Sequence, residues 1–544
     1  MMIQNIATLV VKQLVGLGVK HIFCVPGASI DAITTAIEHN SDINLILCRQ
    51  ESNAGLMATA YAKRTGNLAV VLVTAGPGVT NVVTSAATAT LEHAPLMVIS
   101  GQMDSSTTFK PSHQVINAES LLEPVTKYSK EVTNSKTVTS AICLAYSRAT
   151  TGEKGAVHLA FASDLLGQKV DDLAILPKPA IAKTLSSNDQ IQKATDIINK
   201  AKYPVIIVGK DASENNISVA LNKFIAKSKI AVIATFEAGG LVTRENLDLF
   251  AGRIGVFQNQ PCTELLQKTD LFITIGYNIA ELDPVKWNST NRPVIHMSEY
   301  LPVVATGYVP ADLLIGNMAL NIDQLTANVE TNLSQEYSEL KAKIRSKLIA
   351  RMSDYTKKDN SVHPLAAIKI LQDTVKDSDI VISDVGSHQY WMAEYFVSHT
   401  PCQFINSMGF QTLGVSLPYA IGASIADSNN RVYSVSGDGG ILMCIMELAT
   451  AVEMNIPLIS FIWKDHAYNL VAIQEENKYA ETSAVVFENN VCFVKIAEGF
   501  GAIGLAVKTE EQLIAAISKA KEYNSPVVIQ IDIDYSDNLK RIIQ

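Results

Sequence analysis

The sequence predicts an α/β protein with three doubly wound parallel-sheet domains. Short β-branched runs alternate with segments of helical periodicity along most of the chain, which is typical of parallel sheets covered by helices. A length of 544 residues allows three or four domains with ample cores. A faint internal repeat indicates that two of the domains are copies of one fold.

Composition and charge exclude several classes of protein. The chain is 48% hydrophobic and 18% charged, which is typical of a globular enzyme, and its net charge of −9 with no basic block offers nothing to nucleic acid or an anionic membrane. No apolar run approaches the ~20 residues that span a bilayer. The seven cysteines form no Cys-x-x-Cys pair, and we interpret them as buried small hydrophobic residues in a reducing cytoplasm. The amino-terminal segment resembles an ordinary first helix, not a signal peptide.

The three domains are expected at residues 1–170, 190–330 and 361–535. A first linker at 171–190 contains prolines and a Ser-Ser-Asn-Asp sequence, and a charged helical stretch at 331–360 forms the second linker. Strands are expected at 21–25, 44–48, 68–74 and 96–100, at 205–208, 230–234, 271–275 and 294–297, and at 380–384, 432–436 and 458–463.

The stretch 431–474 carries the first chemical signal. One strand ends at Gly437-Asp438-Gly439-Gly440, a helical run follows, and a second strand ends at Asp465. Because crossovers between parallel strands are nearly always right-handed, Asp438 and Asp465 should face one crevice at the carboxyl ends of their strands.

Two carboxylates in one crevice repel each other unless a cation lies between them. Mg²⁺ prefers one or two protein carboxylates with substrate phosphates as its other ligands. The glycines around Asp438 let backbone N–H groups approach a diphosphate at a helix start. The stretch therefore predicts a metal-bridged diphosphate site; the alternative is an ordinary turn, since Gly-Asp-Gly ends many strands.

The repeat relates this stretch to residues 68–100. Both contain a strand, a glycine turn, a helix, a proline and a second strand, with 19 residues from Gly76 to Pro95 and 20 from Gly437 to Pro457. Pro77 stands where the second copy has its aspartate. The first copy should therefore bind an organic group and not a metal.

The sequence Gly499-Phe-Gly-Ala-Ile-Gly504 matches a dinucleotide-binding motif. It follows a helix and precedes a strand, which is the reverse of the order that such a site requires. We interpret it as a helix end followed by a tight turn.

Three motifs together resemble the thiamine diphosphate (ThDP) decarboxylase family: Gly437-Asp438-Gly439, Asp465 one crossover later, and Arg49-Gln50-Glu51-Ser52-Asn53-Ala54. The resemblance extends over nearly the whole chain and narrows to the catabolic, FAD-independent acetolactate synthases. The further segments that carry it are Val25-Pro26-Gly27-Ala28, Ser112-His113-Gln114, Pro124 to Tyr128, Gly252 to Gly255, Ile275-Gly276-Tyr277, Gln411-Thr412-Leu413-Gly414, Trp463-Lys464-Asp465 and Tyr468 to Gln474.

The resemblance implies pyrimidine, middle and pyrophosphate domains in that order, with ThDP and Mg²⁺ as cofactors and no FAD. It also implies a homodimer whose active sites lie between subunits, and further assembly to a homotetramer. The implied reaction is decarboxylation of pyruvate and condensation with a second pyruvate to 2-acetolactate and CO₂.

Residue roles follow from the same resemblance. Glu51 would hydrogen-bond the pyrimidine ring and favour its imine tautomer, Leu413 would pack between the two rings of the bent cofactor, and the Gln411 carbonyl would receive the 4′-amino group. Asp438, Asp465 and the carbonyl of Ala467 would bind the metal; His466 is left out because Mg²⁺ prefers oxygen. The other implied cofactor contacts are Pro26, Gly27, Gly386, Ser387, His388, Gly437, Gly439, Gly440, Tyr468 and Asn469.

The acceptor side is expected to include Gln474, Gln114 and His113. Gln474 stands where FAD-containing synthases have Trp, Gln114 would orient a carbonyl, and His113 is a candidate for proton handling or carboxylate binding, although a lone His is more often structural. Ser29 replaces a Lys that is common in the catabolic synthases, which would remove a cation from the rim of the site.

The sequence leaves three alternative functions open. The chain could be an FAD-containing biosynthetic synthase or flavin-linked oxidase, although its middle domain has no Gly-rich dinucleotide motif after a strand. It could be a simple ThDP-dependent decarboxylase. In a different class, it could be a non-catalytic ThDP-fold binding or regulatory subunit, although a scaffold has no need of Glu51, Asp438 and Asp465 together.

Overall fold

A computed structural model describes residues 5–107, 110, 112–170, 174–180, 184–255 and 260–543. Residues 1–4 of the expected first helix, and 171–173 and 181–183 of the first expected linker, lie outside the described residues. The chain divides into two compact units, each made of three segments. The first unit contains Met1–Ile181, Gly409–Asn429 and Cys444–Leu458, and the second contains Ala182–Met408, Asn430–Met443 and Ile459–Gln544.

The amino-terminal part of the first unit alternates strands with helices. The strands are β1 (His21–Cys24), β2 (Asn44–Leu47), β3 (Ala69–Val73), β4 (Leu96–Gln102), β5 (Ser129–Val132) and β6 (Ala156–Ala162). The helices are α1 (Ile6–Gly16), α2 (Asp31–Glu38), α3 (Glu51–Thr65), α4 (Pro77–Leu91), α5 (Ala118–Leu122), α6 (Val138–Thr150) and α7 (Ser163–Gly167). Within the described residues these strands form one parallel six-stranded sheet, in the order β2-β1-β3-β4-β6-β5.

The middle sheet lies in the second unit. Its strands are β7 (Pro204–Val208), β8 (Ala231–Thr235), β9 (Phe250–Ile254), β10 (Leu271–Ile275), β11 (Val294–Ser298) and β12 (Asp312–Ile315). Its helices are α8 (Asn188–Lys200), α9 (Asn215–Ser228), α10 (Thr263–Lys268), α11 (Met318–Asn328) and α12 (Gln335–Ala350). The order β12-β11-β10-β7-β8-β9 is that of a doubly wound dinucleotide-binding sheet.

The third sheet is also in the second unit. Its strands are β13 (Ile380–Ser383), β14 (Phe404–Asn406), β15 (Val432–Gly437), β16 (Ile459–Lys464), β17 (Ile503–Val507) and β18 (Val527–Asp532). The helices of this part of the chain are α13 (Pro364–Thr374), α14 (Ser387–Tyr395), α15 (Ser416–Ala426), α16 (Asp438–Ile441), α17 (Leu448–Glu453), α18 (Asn469–Tyr479), α19 (Phe493–Gly499) and α20 (Glu510–Ala520). Of these helices, α15 and α17 belong to the first unit.

The topology confirms the predicted fold class of three parallel sheets with interleaved helices. The third sheet has the order β14-β13-β15-β16-β18-β17, which is the order of the first sheet when each is counted from its own first strand. Within the two sheets, β3 and β15 occupy equivalent positions. The repeat seen in the sequence is therefore a repeat of topology.

Other expectations are confirmed or corrected by the structure. The motif at 499–504 is the end of α19 followed by Gly501 with φ 85°, as predicted for a helix end and tight turn. All seven cysteines are free, but Cys492 is exposed and Cys143 and Cys402 are only half-buried, so the prediction that all are buried is wrong for these three. In the described part of the chain, no helix combines the length and apolar character needed to cross a membrane.

Two helices of the first unit, α3 and α15, pack unusually closely. A Cβ atom on Gly422 of α15 would lie 2.1 Å from the carbonyl oxygen of Met57 in α3. Such a contact is far inside van der Waals distance, and the obstructing atom belongs to backbone. Only glycine at this position allows the two helices their observed separation.

We predict that Gly422→Ala lowers the free energy of unfolding by about 1–3 kcal/mol, because the added methyl group must push two buried helices apart. Urea unfolding of the purified variant measures the change. Gly167→Ala is the matched control, since a Cβ atom there meets nothing within 4 Å. Equal stability of the two variants would contradict the prediction.

Candidate active site

Asp438 lies where β15 ends and α16 begins. Its side chain is 3% exposed. Its Oδ1 accepts a hydrogen bond from the Gly439 N–H at 3.0 Å, and its Oδ2 accepts one from the His466 N–H at 2.8 Å. Burial raises the pKa of Asp438 in spite of these donors. The carboxylate is thus held in a fixed orientation with part of its charge uncompensated.

Asp465 directly follows β16, which pairs in parallel with β15. Burial, and next the charge of Asp438, raise the pKa of Asp465 to about 7. Its Oδ2 is buried and has no hydrogen-bond partner. The predicted pair of repelling carboxylates at the ends of adjacent strands is therefore present, and one oxygen is left without a donor.

The pair has the properties of a cation site. A buried carboxylate oxygen without a donor is costly unless a ligand compensates it. Among the described residues, no group of three or more His, Cys, Asp or Glu side chains could hold a metal ion. The protein would thus contribute two carboxylate side chains to the coordination of a metal ion. Such a small set of protein ligands suits Mg²⁺, which takes phosphate and water oxygens as its further ligands.

The turns around the pair leave little room for side chains. A Cβ atom on Gly439 would lie 2.5 Å from Cε1 of Tyr468, and one on Gly386 would lie 2.8 Å from Cε1 of His388. At Gly440 a Cβ atom would lie 3.3 Å from Oδ2 of Asp384. Only glycine fits at positions 386 and 439, so no side chain of these residues covers the backbone at the starts of α14 and α16, where a helix dipole favours an anion.

His388 is buried next to this turn and is uncharged at neutral pH. Burial lowers its pKa to about 3, although a hydrogen bond to the backbone of Asp384 acts in the opposite direction. Its Nε2 is buried and has no hydrogen-bond partner. When Nδ1 of the neutral ring carries the proton and donates it in a hydrogen bond, Nε2 carries a lone pair. A hydrogen bond from Nε2 to a phosphate oxygen would therefore require protonation of the ring.

A polar chain that sequence reasoning missed supports the site. Asn469 Oδ1 accepts hydrogen bonds from Ser387 Oγ at 3.0 Å and from Asn538 Nδ2 at 2.5 Å. Asn538, which is 1% exposed, accepts from the Trp391 indole N–H at 2.6 Å. Asn469 also hydrogen-bonds the side chain of Asp465. The carboxyl-terminal segment thus holds a predicted cofactor contact, and no motif in the sequence signals this.

The backbone of Ala467 and Tyr468 is fixed by a returning loop. Ala467 forms an isolated antiparallel bridge with Val486, Tyr468 N donates to the Val485 carbonyl at 2.9 Å, and the rings of Tyr468 and Phe487 stand edge to face at 4.8 Å. Gln474 is on the exposed part of α18.

Glu51 is the first residue of α3, in the first unit. Its Oε2 accepts a hydrogen bond from Asn81 Nδ2 at 2.9 Å. Burial, with the charge of Glu51, raises the pKa of the Cys24 thiol at the end of β1 to about 12. Glu51 therefore stands at the carboxyl end of the first sheet, beside the start of the segment that contains Pro26 and Gly27.

The turn at the end of β3 brings several predicted residues together. A Cβ atom on Gly27 would lie 2.5 Å from Thr74, and one on Gly76 would lie 2.9 Å from Cβ of Gln114. The Ser29 hydroxyl accepts a hydrogen bond from the Ala75 N–H at 2.9 Å and is 5% exposed. Position 29 is therefore a buried anchor of this turn and not an exposed rim position.

The remaining candidates of the first unit are more accessible. His113 and Gln411 are exposed, and Leu413 is half-buried. Gln114 and Gln411 both have positive φ, at 61° and 52°, a conformation that non-glycine residues seldom adopt and that is common at functional sites. The predicted residues are therefore divided between the two units, and the contacts described above join only part of each set.

Comparison with protein families gives three matches along the chain. Residues 4–121 match the model described as thiamine pyrophosphate enzyme, N-terminal TPP binding domain; residues 191–325 match the central domain, and residues 384–531 match the C-terminal TPP binding domain. Thiamine pyrophosphate is another name for ThDP.

Similar proteins cover almost the whole chain. An acetolactate synthase of Bacillus subtilis is 37% identical over 98% of this chain and 94% of its own length. A catabolic acetolactate synthase of Raoultella terrigena is 34% identical over 98% and 95%. A probable acetolactate synthase large subunit of Methanococcus aeolicus is 28% identical over 99% and 93%.

We predict that Asp465→Asn stabilises the metal-free protein, because it removes one of two repelling buried charges. The carboxyl pKa is raised to about 7 from the ordinary 3.8, so ionisation of this group costs stability, fully above about pH 7 and not at all below about pH 4. At pH 8 the gain should be roughly 1–4 kcal/mol. The gain should shrink as the pH falls from 7 to 4.

Urea unfolding after chelator treatment, at pH 8 and at pH 4.5, measures the difference between variant and wild type. Asp373→Asn is the control, since that side chain is 68% exposed and should change little. A destabilised Asp465→Asn protein at pH 8 would show that the two carboxylates do not oppose each other.

Proposed function

The chain belongs to the family of ThDP-dependent enzymes that includes the acetolactate synthases, and from this membership we propose that it is a catabolic-type acetolactate synthase. Two pyruvates and one proton would give one 2-acetolactate and one CO₂. The strongest support is the similarity to two acetolactate synthases at 37% and 34% identity along 98% of the chain.

We assign residues 1–170, 190–330 and 361–535 as pyrimidine, middle and pyrophosphate domains. The three family matches lie within or close to these bounds. We further propose a homodimer, assembled to a homotetramer, in which the pyrimidine domain of one subunit completes the site on the pyrophosphate domain of its partner. The shared strand order of the first and third sheets suits such a pairing of unequal copies.

The metal proposed for the site is Mg²⁺, held by Asp438, Asp465 and the carbonyl of Ala467. The unpartnered Oδ2 of Asp465 supports this assignment, since the atom is buried and has no donor. The diphosphate of the cofactor would lie beside the metal at the starts of α14 and α16, where glycines leave the backbone uncovered. The residues proposed to hold it are Gly386, Ser387, His388, Gly437, Gly439, Gly440, Tyr468 and Asn469.

ThDP, when bound, supplies the electron sink that lets a 2-ketoacid lose CO₂ and be joined to a second carbonyl compound. Glu51 would hydrogen-bond the pyrimidine ring and exchange a proton with it. Asn81 holds one carboxylate oxygen at 2.9 Å and leaves the other to act. Gln411, Leu413, Pro26 and Gly27 would position the ring, while Gln114, Gln474 and His113 would receive the second ketoacid.

A closed crevice in the middle domain supports the FAD-free type. A dinucleotide binds where the strand order reverses, here between β7 and β10. Asp211 N donates to the Gly276 carbonyl at 3.1 Å, and a Cβ atom on Gly209 would lie 2.4 Å from that oxygen. The two loops thus touch where a diphosphate would have to enter.

Glu281 fills the rest of this crevice. Its carboxyl group accepts from Thr235 Oγ1 at 2.6 Å, and from the N–H groups of Lys210 and Asn278 at 3.0 Å each. Burial and the nearby Glu237 raise its pKa. The donors that a phosphate could have used are already occupied by an acidic side chain.

We predict that the purified protein, incubated with pyruvate, ThDP and Mg²⁺, forms 2-acetolactate, detected as acetoin after acid treatment. Acetaldehyde in its place would identify a simple decarboxylase. A yellow protein with flavin absorbance would favour the FAD-containing enzymes, and ThDP binding without any product would favour a regulatory subunit.

We also predict that Glu51→Gln lowers kcat by about 10²–10⁴-fold, because an amide cannot exchange a proton with the ring. Steady-state acetolactate formation measures the effect. Glu38→Gln, an exposed change at the end of α2, is the control and should leave turnover unchanged. Full turnover of Glu51→Gln would exclude the proposed role.

A further inference from the structure

The first unit contains a buried acidic residue that the proposed reaction does not use. Glu447 ends a short 3₁₀ turn, Ile445–Glu447, and is 0% exposed. Burial raises the pKa of its carboxyl group, and its neighbours act in the opposite direction by hydrogen bonding. A carboxyl group is costly to bury, so its partners show what it stabilises.

Those partners lie on both sides of Glu51. The Arg49 N–H donates to both carboxylate oxygens, at 3.1 and 3.3 Å, and further hydrogen bonds join Glu447 to the Gln50 backbone and the Asn53 side chain. The hydroxyl of Thr450, in helix α17 that directly follows Glu447, donates a hydrogen bond to Oε2 of Glu447 at 2.7 Å. This bond holds the carboxylate from α17.

The donors belong to the turn that begins α3. The first N–H groups of a helix have no partner within the helix. Gln50 caps one of them, accepting from Asn53 N at 2.9 Å, and Glu447 binds the backbone immediately before it. Glu51 is thus carried by a turn that is fixed from outside the helix.

We propose that Glu447 is a positioning residue for Glu51. Its carboxylate fixes the backbone at Arg49 and Gln50 and thereby sets the direction in which the Glu51 side chain leaves the helix. The inference rests on the proton-handling role proposed above for Glu51. A displacement of about 1 Å in a group that transfers a proton can cost about 10²-fold in rate.

Glu447→Gln is the direct test, because it keeps the shape of the side chain. An amide has one oxygen in place of two and would turn an N–H donor towards another donor. Glu453→Gln is the matched control. Glu453 also contacts residue 49, through the exposed end of the Arg49 side chain, and is itself 54% exposed.

Two readouts separate positioning from general stability. Hydrogen–deuterium exchange of the full chain without ThDP should become faster in peptides covering residues 45–55 and stay unchanged elsewhere. In the holoenzyme, kcat should fall about 10–100-fold while the KM for pyruvate stays within about threefold. Glu453→Gln should match the wild type in both measurements.

Unchanged exchange at 45–55, or unchanged kcat, overturns the proposal, and so does faster exchange along the whole chain. If Glu447→Gln does not fold, Thr450→Val tests the same contact by removing one donor, and the absence of local faster exchange in that variant overturns it too. Failure of the proposed function is recognised separately, by a fully active Glu51→Gln protein or by the absence of 2-acetolactate from the wild type.

Discussion

Two carboxylates at the ends of adjacent parallel strands cannot both be charged and buried unless other groups compensate their charges. Hydrogen-bond donors around the third sheet provide part of this compensation. Gly439 and His466 donate backbone N–H groups to Asp438, and Asn469 holds Asp465. Even so, burial and the charge of Asp438 leave Asp465 with a pKa of about 7. The cation proposed for this site would remove the remaining cost.

The same sheet topology occurs twice in this chain, and the two copies carry different residues at the equivalent turn. The first and third sheets have the same strand order, and in each the third strand leads into a glycine turn and a helix. In one copy the helix starts with Pro77, directly after Gly76, which lies against Gln114; in the other it starts with Asp438. The fold fixes where the turn lies, and single residues at the turn, a proline in one copy and an aspartate in the other, give the two proposed sites their different chemistry.

The sequence was sufficient for the fold class and for the carboxylate pair, because both depend on local patterns. Buried parallel strands form continuous apolar runs, and handed crossovers bring Asp438 and Asp465 to one edge. Six strands were missed: β5, β6, β9, β12, β14 and β18. Three or four residues carry too little periodicity in β5, β12 and β14, but β6, β9 and β18 have five to seven residues and were overlooked although they are long enough.

The supporting residues were missed for a different reason. Glu447, Asn538 and Glu281 act through partners far away in the chain or in irregular loops, as in the contact of Glu447 with Arg49 across 398 positions. No rule based on short sequence spacing predicts a contact between residues so far apart in the chain. Residues Gly409–Asn429 and Cys444–Leu458 group with the first unit although they lie within the third domain expected at 361–535, because this grouping depends on contacts far apart in the sequence.

The buried acids of this chain differ in how completely they are hydrogen-bonded, and this difference separates their uses. Both oxygens of Glu281 and of Glu447 accept hydrogen bonds from the protein, so each acid holds its surrounding turns in place. Asp465 has one buried oxygen with no donor at all. Glu92 and Asp312 also have a buried oxygen with no donor, but the other oxygen of each is paired with a lysine. Among the described residues Asp465 has no such cationic partner, and its nearest charge is that of Asp438. An unsatisfied buried oxygen together with the absence of a counter-charge therefore separates Asp465 from the structural acids.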